Sequence, residues 1–150
     1  MFEDFKAKFQ IQKENIILPD IQEFFIDKTD IKQALEYLKT SPCLFFERLE
    51  CIIGRDNGSL FTVTYILQSD KYASKCALSC NLDYDNAEID SALDIYKSAD
   101  YDEREIYDLF GIKFLNRPNL KRILLPVDFI GHPLRKNYKM EEERLKWNYE

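Results

Sequence analysis

The most constraining feature of this sequence is a short helical segment followed by a proline-interrupted arm. The stretch from Tyr101 to Tyr138 reads YDEREIYDLFGIKFLNRPNLKRILLPVDFIGHPLRKNY. Its first third carries apolar residues at i, i+3 and i+4, which is the pattern of one helical stripe. Asp100 as N-cap, with Glu103 three residues later, predicts a capping box. Gly111 is the residue type expected where a helix ends in the left-handed region.

Beyond this helix, three prolines exclude long regular structure. Pro118, Pro126 and Pro133 each lack a backbone N–H, and each biases the residue before it toward extended conformations. The sequence therefore predicts an extended C-terminal arm over residues 113–150. The apolar residues expected to anchor this arm are Phe114, Leu120, Ile123, Leu124, Leu125, Phe129, Ile130 and Leu134.

The N-terminal part of the chain has the pattern helix, two strands, helix. Three phenylalanines within the first nine residues have near-helical spacing. Two short strands follow, broken at Pro19-Asp20. A second helix is capped by Thr29 or Asp30 and ends at Ser41-Pro42.

Three further strands are predicted before the arm. They run over Leu44–Ile53, Phe61–Leu67 and Lys75–Leu82, and an Asn57-Gly58 pair predicts the first hairpin loop. The order helix, two strands, helix, three strands predicts a two-layer α+β domain over residues 1–112, with helices on one face of a sheet. The short helix and the extended C-terminal arm follow. At 150 residues the whole chain is expected to be a single domain.

The four cysteines could suggest a metal or iron–sulfur site. Cys76 and Cys80 alternate with polar residues on the last predicted strand, so both point to its apolar face. Strand residues four apart lie roughly 13 Å from each other, too far to bind one zinc ion. We therefore expect Cys43, Cys51, Cys76 and Cys80 to be reduced thiols, in a chain that binds no metal.

The sequence contains no familiar active-site motif. His132 is the only histidine, and four glycines are too few for a dinucleotide-binding loop. On the predicted helix, Arg104 and Asp108 are i, i+4 neighbours, whereas Glu103 and Glu105 point in different directions. This arrangement favours ion pairs with a partner or with the basic arm over a carboxylate dyad. No catalytic residue is expected in this chain.

The charges are divided between an acidic body and a basic arm. Residues 1–112 carry 12 basic and 22 acidic side chains, a charge of −10, and residues 113–139 carry seven and one, a charge of +6. This leaves nucleic acid and an acidic protein surface open as partners. The arm interleaves its charges with aliphatic residues and has no nucleic-acid-binding motif, so the protein surface is favoured. No apolar run reaches the ~18–20 residues of a membrane span, and the N-terminus does not resemble a signal peptide, which predicts a soluble chain.

Three blocks of the arm region resemble a known family. Glu103 to Ile112 (EREIYDLFGI), Arg122-Ile123-Leu124 and Gly131 to Lys136 (GHPLRK) together look like the C-type, or 30-kDa-type, subunit of NADH-quinone oxidoreductase. Related membrane-bound hydrogenases share the pattern. The resemblance covers the chain from about Phe46 to Lys139.

This resemblance implies a non-catalytic, peripheral-arm subunit of the proton-translocating respiratory complex I, on the cytoplasmic side of the bacterial inner membrane. It implies a D-type, hydrogenase-large-subunit-like partner that forms the quinone site. The eight large apolar side chains of the arm predict that the arm is poorly ordered alone and becomes ordered on this partner. Other hydrophilic subunits such as B and I are also expected, and membrane contact only through the complex. The enzyme as a whole would transfer electrons from NADH to quinone, with flavin, iron–sulfur clusters and quinone bound elsewhere. The interface residues expected from it are Glu103, Arg104, Glu105, Asp108, Phe110, Gly111, Arg122, Asp128, His132, Arg135 and Lys136.

Two alternatives stay open from the sequence. One is the equivalent subunit of a membrane-bound energy-converting hydrogenase, which the neighbouring genes would distinguish. The other is a free-standing nucleic-acid-binding module, for which duplex binding would depend steeply on salt.

Overall fold

The computed structural model describes residues 1–18 and 21–139. Within these ranges, three helices and seven strands follow one another along the chain. They are α1 (Glu3–Lys8), β1 (Lys13–Leu18), β2 (Ile21–Phe25), α2 (Ile31–Thr40), β3 (Arg48–Asp56), β4 (Leu60–Ser69), β5 (Ser74–Asp83), β6 (Glu88–Asp90), α3 (Ala99–Phe110) and β7 (Lys113–Leu115). The predicted break at Pro19-Asp20 and the terminal segment Met140–Glu150 lie outside the described residues.

The first five strands form one mixed sheet in the order β1-β2-β5-β4-β3. Neighbours in this sheet are antiparallel except for β2 and β5, which run parallel, with Ile21 opposite Lys75 and Phe25 opposite Ser79. The predicted three-stranded meander is therefore present, and β5 joins it to the N-terminal hairpin.

Helices α1 and α2 form the second layer on one face of the sheet. Phe5 of α1 is fully buried, and its ring lies 5.6 Å from that of Phe24 and 6.2 Å from that of Tyr37, measured between centroids. This arrangement confirms the two-layer α+β prediction. Cys76 and Cys80 are buried, as predicted, and so are the other alternate apolar residues of β4 and β5: Phe61, Val63, Tyr65, Leu67, Leu78 and Leu82.

The predicted start of β3 at Leu44 is wrong. The strand begins at Arg48, because residues 41–46 form a turn in which Phe45 has a φ of 47° and Phe46 donates its N–H to the Leu38 carbonyl. Leu44 and Phe46 are nevertheless buried, so the apolar residues that mimic a strand serve the core from a turn. At its other end β3 continues to Asp56, leaving a shorter hairpin loop than predicted.

In the sequence, α3 is preceded by β6 and followed by β7. These two strands pair in parallel, which was not predicted from the sequence. Glu88 of β6 faces Lys113 of β7, and each strand has only three residues, too few for a periodic signal. The predicted capping box is also wrong, because α3 begins at Ala99 and neither Asp100 nor Glu103 caps it. Gly111 ends the helix with a φ of 72°, as predicted.

The β3 edge of the large sheet is partly covered by α3 and the residue before it. Along the β3 edge, the Asp102 carboxylate of α3 accepts the Ile52 N–H at 2.8 Å, and the Ser98 hydroxyl donates to the Leu49 carbonyl at 3.1 Å. Helix α3 therefore satisfies backbone groups of this edge strand that would otherwise be open to another chain.

Candidate functional site

The arm is fastened to α3 by the buried carboxylate of Asp108. Its Oδ2 accepts hydrogen bonds from the backbone N–H groups of Ile123, Leu124 and Leu125 at 3.0, 2.8 and 2.9 Å. Its Oδ1 accepts one from Arg122 Nη1 at 2.6 Å. Burial acts to raise the pKa of Asp108, but these donors outweigh burial and hold that pKa below its usual value of 3.8. The site therefore favours an ionised carboxylate.

Arg122 extends the same connection along the arm. Its Nη2 donates to the carbonyl oxygens of Phe129 and Gly131 at 3.0 and 2.9 Å, and its Nη1 also reaches the Asp108 carbonyl at 3.2 Å. A planar guanidinium fixes the directions of its N–H groups. One side chain thus holds residues 129–131 in a fixed position against the end of α3.

A second buried carboxylate, Glu103, binds the beginning of the arm. It accepts hydrogen bonds from the Ser91 hydroxyl, the Ala92 N–H and Arg117 Nη1, each at 2.7 Å. Arg117 also donates to the Asp100 carbonyl at 3.0 Å and is ion-paired with its carboxylate. Burial raises the pKa of Glu103, and its three hydrogen-bond donors only partly oppose that shift.

The C-terminal end of α3 is closed by His132 and Arg135. A Cβ on Gly111 would lie 2.5 Å from His132 Cδ2, so only glycine permits this approach. His132 Nδ1 lies 2.9 Å from the Asp108 carbonyl oxygen and donates to it, and Arg135 Nε donates to the Phe110 carbonyl. The last carbonyl groups of the helix are therefore satisfied by the arm.

The end of the arm reaches the β3–β4 hairpin. The Lys136 N–H donates to Asp56 Oδ2 at 2.8 Å, and the Arg135 guanidinium lies over the rings of Phe61 and Tyr84, 5.1 and 5.8 Å from their centroids. Phe110 packs edge-on against Phe61 in the same region. The expectation that the arm becomes ordered only on a partner is therefore wrong, because the arm is held on its own domain.

His132 is expected to make the fold less stable in mild acid. Burial lowers its pKa below 6.5, helped by the charges of Arg122 and Arg135, so below pH 6.5 the folded state binds fewer protons than the unfolded state. This stabilisation is present above pH 6.5 and is lost as the pH falls through the lower folded-state pKa. Urea titrations at pH 7, 6 and 5 should show a decline that a His132→Gln variant lacks. Equal pH dependence in both proteins would contradict this role.

The structure places the sequence-predicted residues in three kinds of environment. Six of them are half-buried: Arg104, Phe110, Gly111, Arg122, His132 and Arg135. Glu103 and Asp108 are fully buried and bind arginines of the arm, one of the two arrangements that the sequence left open. Glu105, Asp128 and Lys136 are exposed. The role of the predicted set at a partner interface stays a prediction.

Arg104 and Asp108, the i, i+4 neighbours on α3, do not pair with each other. Asp108 is turned inward to Arg122, and Arg104 instead donates to the carbonyl oxygens of Lys121 and Arg122 at 3.3 and 3.1 Å.

Arg117, whose side chain is 1% exposed, was not among the predicted residues. Its only signal was the excess of basic residues in the arm.

The outward side of the arm carries large apolar side chains, which we call the arm face. Val127 is 96% exposed and Ile130 is 69% exposed, on a segment whose backbone is fixed by Asp108 and Arg122. Exposed apolar residues grouped in this way are typical of protein interaction sites. The arm face consists of Leu124, Val127, Ile130 and Leu134.

The cysteines Cys76 and Cys80 are buried on β5, as predicted. Burial raises the pKa of both thiols, that of Cys80 to about 12, which keeps them protonated and unreactive. In residues 1–18 and 21–139, no group of three or more His, Cys, Asp and Glu side chains is placed to hold a metal ion. None of the helices in these ranges is long and apolar enough to cross a membrane.

These features define an α+β domain whose C-terminal arm is held against its own helix α3. Residues 24–144 match the family described as "Respiratory-chain NADH dehydrogenase, 30 Kd subunit", and the chain belongs to this family. Over 122 residues, 78% of this chain, it is 37% identical to the C-type subunit of NADH-quinone oxidoreductase from Saccharopolyspora erythraea. It is 38% identical over 135 residues, 84% of its length, to the fused C/D-type subunit of the same enzyme from Shewanella woodyi. It is 37% identical over 118 residues, 77% of its length, to the C-type subunit of F(420)H(2) dehydrogenase from Methanosarcina mazei.

The chain spans only part of the relatives that it matches. The shared segments make up 49% of the Saccharopolyspora protein, 23% of the Shewanella protein and 73% of the Methanosarcina protein. Among solved structures, a chain of the archaeal membrane-bound sulfane sulfur reductase has the same fold, with a TM-score of 0.80 at 21% identity over 98% of this chain and 88% of that one. A trypsin-resistant fragment of Nqo5 has a TM-score of 0.65 at 24% identity, over 79% of this chain and 95% of the fragment.

Proposed function

We propose that this chain is a non-catalytic subunit of the peripheral arm of a proton-translocating NADH:quinone oxidoreductase. In this proposal it scaffolds the D-type subunit that forms the quinone site, and the whole complex transfers electrons from NADH to quinone. Family membership supports the assignment. The fused C/D relative supports the choice of partner, because one polypeptide there is named for both subunits.

The arm face is the observation that carries this proposal. Val127 and Ile130 are large apolar side chains exposed to solvent, yet the backbone on either side of them is held by the ion pair of Asp108 with Arg122 and its hydrogen bonds. A preformed segment loses little conformational entropy when a partner covers it, so more of the hydrophobic gain is kept as binding free energy. A surface built in this way is suited to permanent assembly rather than to chemistry.

Cofactors and location follow from the same proposal. Flavin, iron–sulfur clusters and quinone would be bound by other subunits, including B- and I-type subunits near this one. The chain would lie on the cytoplasmic side of the inner membrane and would contact the membrane only through the complex.

The arm face can be tested with the double variant Val127→Glu/Ile130→Glu. Two charges buried in a dry contact cost several kcal/mol, and each 1.4 kcal/mol is a tenfold change in affinity. Recovery of the co-produced D-type subunit on a tagged chain should therefore fall at least about tenfold, and NADH–quinone reductase activity of the membranes should fall with it.

The matched control is Ile16→Glu on β1, which alters a residue as exposed as Ile130, at 70%. It should leave recovery within about twofold, as surface substitutions usually do. Full recovery of the D-type subunit by a folded Val127→Glu/Ile130→Glu chain would overturn the proposed function of the arm face.

A second candidate is the equivalent subunit of a complex with other electron partners, such as an energy-converting hydrogenase. The relative from F(420)H(2) dehydrogenase supports this candidate, because a matching chain there belongs to a complex with a different electron donor. Oxidation of NADH by the complex that purifies with the tagged chain would exclude it, and F420H2 or hydrogen oxidation would favour it.

A further inference from the structure

A groove of about 380 Å³ lies between α3 and the edge strand β3. Its walls include Ile53 and Leu134, which are 49% and 50% exposed although both are large and apolar. The floor is set by Gly54, where a Cβ would lie 3.2 Å from the Phe110 ring and 3.4 Å from Ile106. The strand and the helix are therefore in contact at the bottom of the groove. Above this contact the groove is open to side chains of another protein.

Part of the backbone at this edge is already hydrogen-bonded by the α3 region. The Ile52 N–H is already bound by the Asp102 carboxylate at 2.8 Å. A partner that enters the groove must therefore do so mainly through its side chains rather than by extending the sheet.

The groove also has two acidic lining residues. They are Asp102 and Glu105, and within the described part of the chain neither carboxylate forms an ion pair with a basic side chain. Cys51 lines the same groove, where burial and the charges of Asp102 and Glu50 raise the pKa of its thiol. The local potential is thus negative and favours a cation beside the apolar walls.

We propose that this groove receives a large apolar side chain and an adjacent Lys or Arg from the D-type partner. The apolar side chain would lie between Ile53 and Leu134, and the cation would pair with Glu105. Leu134 belongs both to the groove and to the arm face, so a single partner surface can cover the two. This inference rests on the proposed function, and it adds a second contact of defined chemistry.

The test compares two groove variants with matched controls in cells that co-produce the D-type subunit. Ile53→Glu should lower recovery of that subunit on the tagged chain at least about tenfold, and Glu105→Lys should do the same by reversing the charge that faces the cation. Ile17→Glu, 47% exposed on β1, and Glu36→Lys, exposed on α2, should stay within about twofold. Circular dichroism and thermal unfolding of each purified chain establish that it is folded.

The outcomes distinguish failure of the groove proposal from failure of the proposed function of the arm face. If the arm-face variant loses the D-type subunit while Ile53→Glu and Glu105→Lys retain it, the groove proposal is wrong and the proposed function stands. If the arm-face and groove variants all retain it, both fail. If light scattering shows that the isolated chain dimerises and Ile53→Glu abolishes the dimer, the occupant is a second copy and the proposal is overturned. Should Ile53→Glu prove unfolded, Glu105→Lys decides alone, because an exposed charge is not needed for folding.

Discussion

Replacing Asp108 with alanine is expected to lower the free energy of unfolding by about 3–5 kcal/mol, the range for breaking a buried ion pair from one side. The variant would leave the Arg122 guanidinium and the N–H groups of Ile123, Leu124 and Leu125 without their common acceptor. The arm would then detach from α3. Urea unfolding measures the loss of stability, and limited trypsin digestion should show rapid new cleavage after Lys121 or Arg122.

The matched control for this substitution is Asp128→Ala. Asp128 is exposed in the same arm, so its removal should change the free energy of unfolding by no more than about 0.5 kcal/mol. If Asp108→Ala were as stable and as resistant to trypsin as Asp128→Ala, the converging donors would not be what holds the arm.

Arg117→Met is expected to cost about 3–5 kcal/mol as well, because it leaves Glu103 as a buried charge without its counter-ion. Both side chains are almost entirely inaccessible to solvent, at 1% and 0%, so water cannot compensate. Arg48→Met removes an exposed arginine that is also ion-paired and should cost less than about 0.5 kcal/mol. Urea titrations of the two variants measure the difference.

The double variant Glu103→Gln/Arg117→Met should recover much of that loss, since no unpaired charge remains inside. The pH dependence gives an independent check. Burial already raises the pKa of Glu103, and loss of Arg117 would raise it further, so the folded state of Arg117→Met should gain stability as the pH falls toward 4.5. If neither Glu103→Gln nor a lower pH restores stability to Arg117→Met, the loss of stability comes from packing rather than from charge.

Much of the layered fold could be predicted because its signals are local. The alternation along β5 and the residues that begin and end α2 are local signals of this kind, and both elements are confirmed. Leu44 and Phe46 gave a misleading strand signal because burial alone cannot distinguish a strand from a turn that packs on the core. The parallel pairing of β2 with β5 has no local signal, since it joins residues far apart in sequence.

The arm was predicted as a region but not as a structure. Prolines and charge asymmetry identified it, and the sequence could favour ion pairs between α3 and basic residues. It could not assign Glu103 to Arg117 or Asp108 to Arg122, because those pairs depend on how the chain turns at residues in between. Asp100 and Glu103 have the spacing of a capping box, but a buried arginine competes for the same carboxylates. A tertiary ion pair therefore overrides a local motif.

The parallel pairing of β2 with β5 also limits how early the sheet can form while the chain is being synthesised. β2 can pair with β1 at once, but it ends at Phe25 and its other neighbour β5 begins only at Ser74, so roughly fifty residues must be synthesised before β2 can pair with β5. At ~5–20 residues per second, the ribosome takes about 2–10 s to produce them. During that interval the N-terminal phenylalanines lack the strands β3, β4 and β5 with which they share a core in the complete fold. The β1–β2 part of the sheet is therefore synthesised first but joins the rest of the sheet only after β5 has been made.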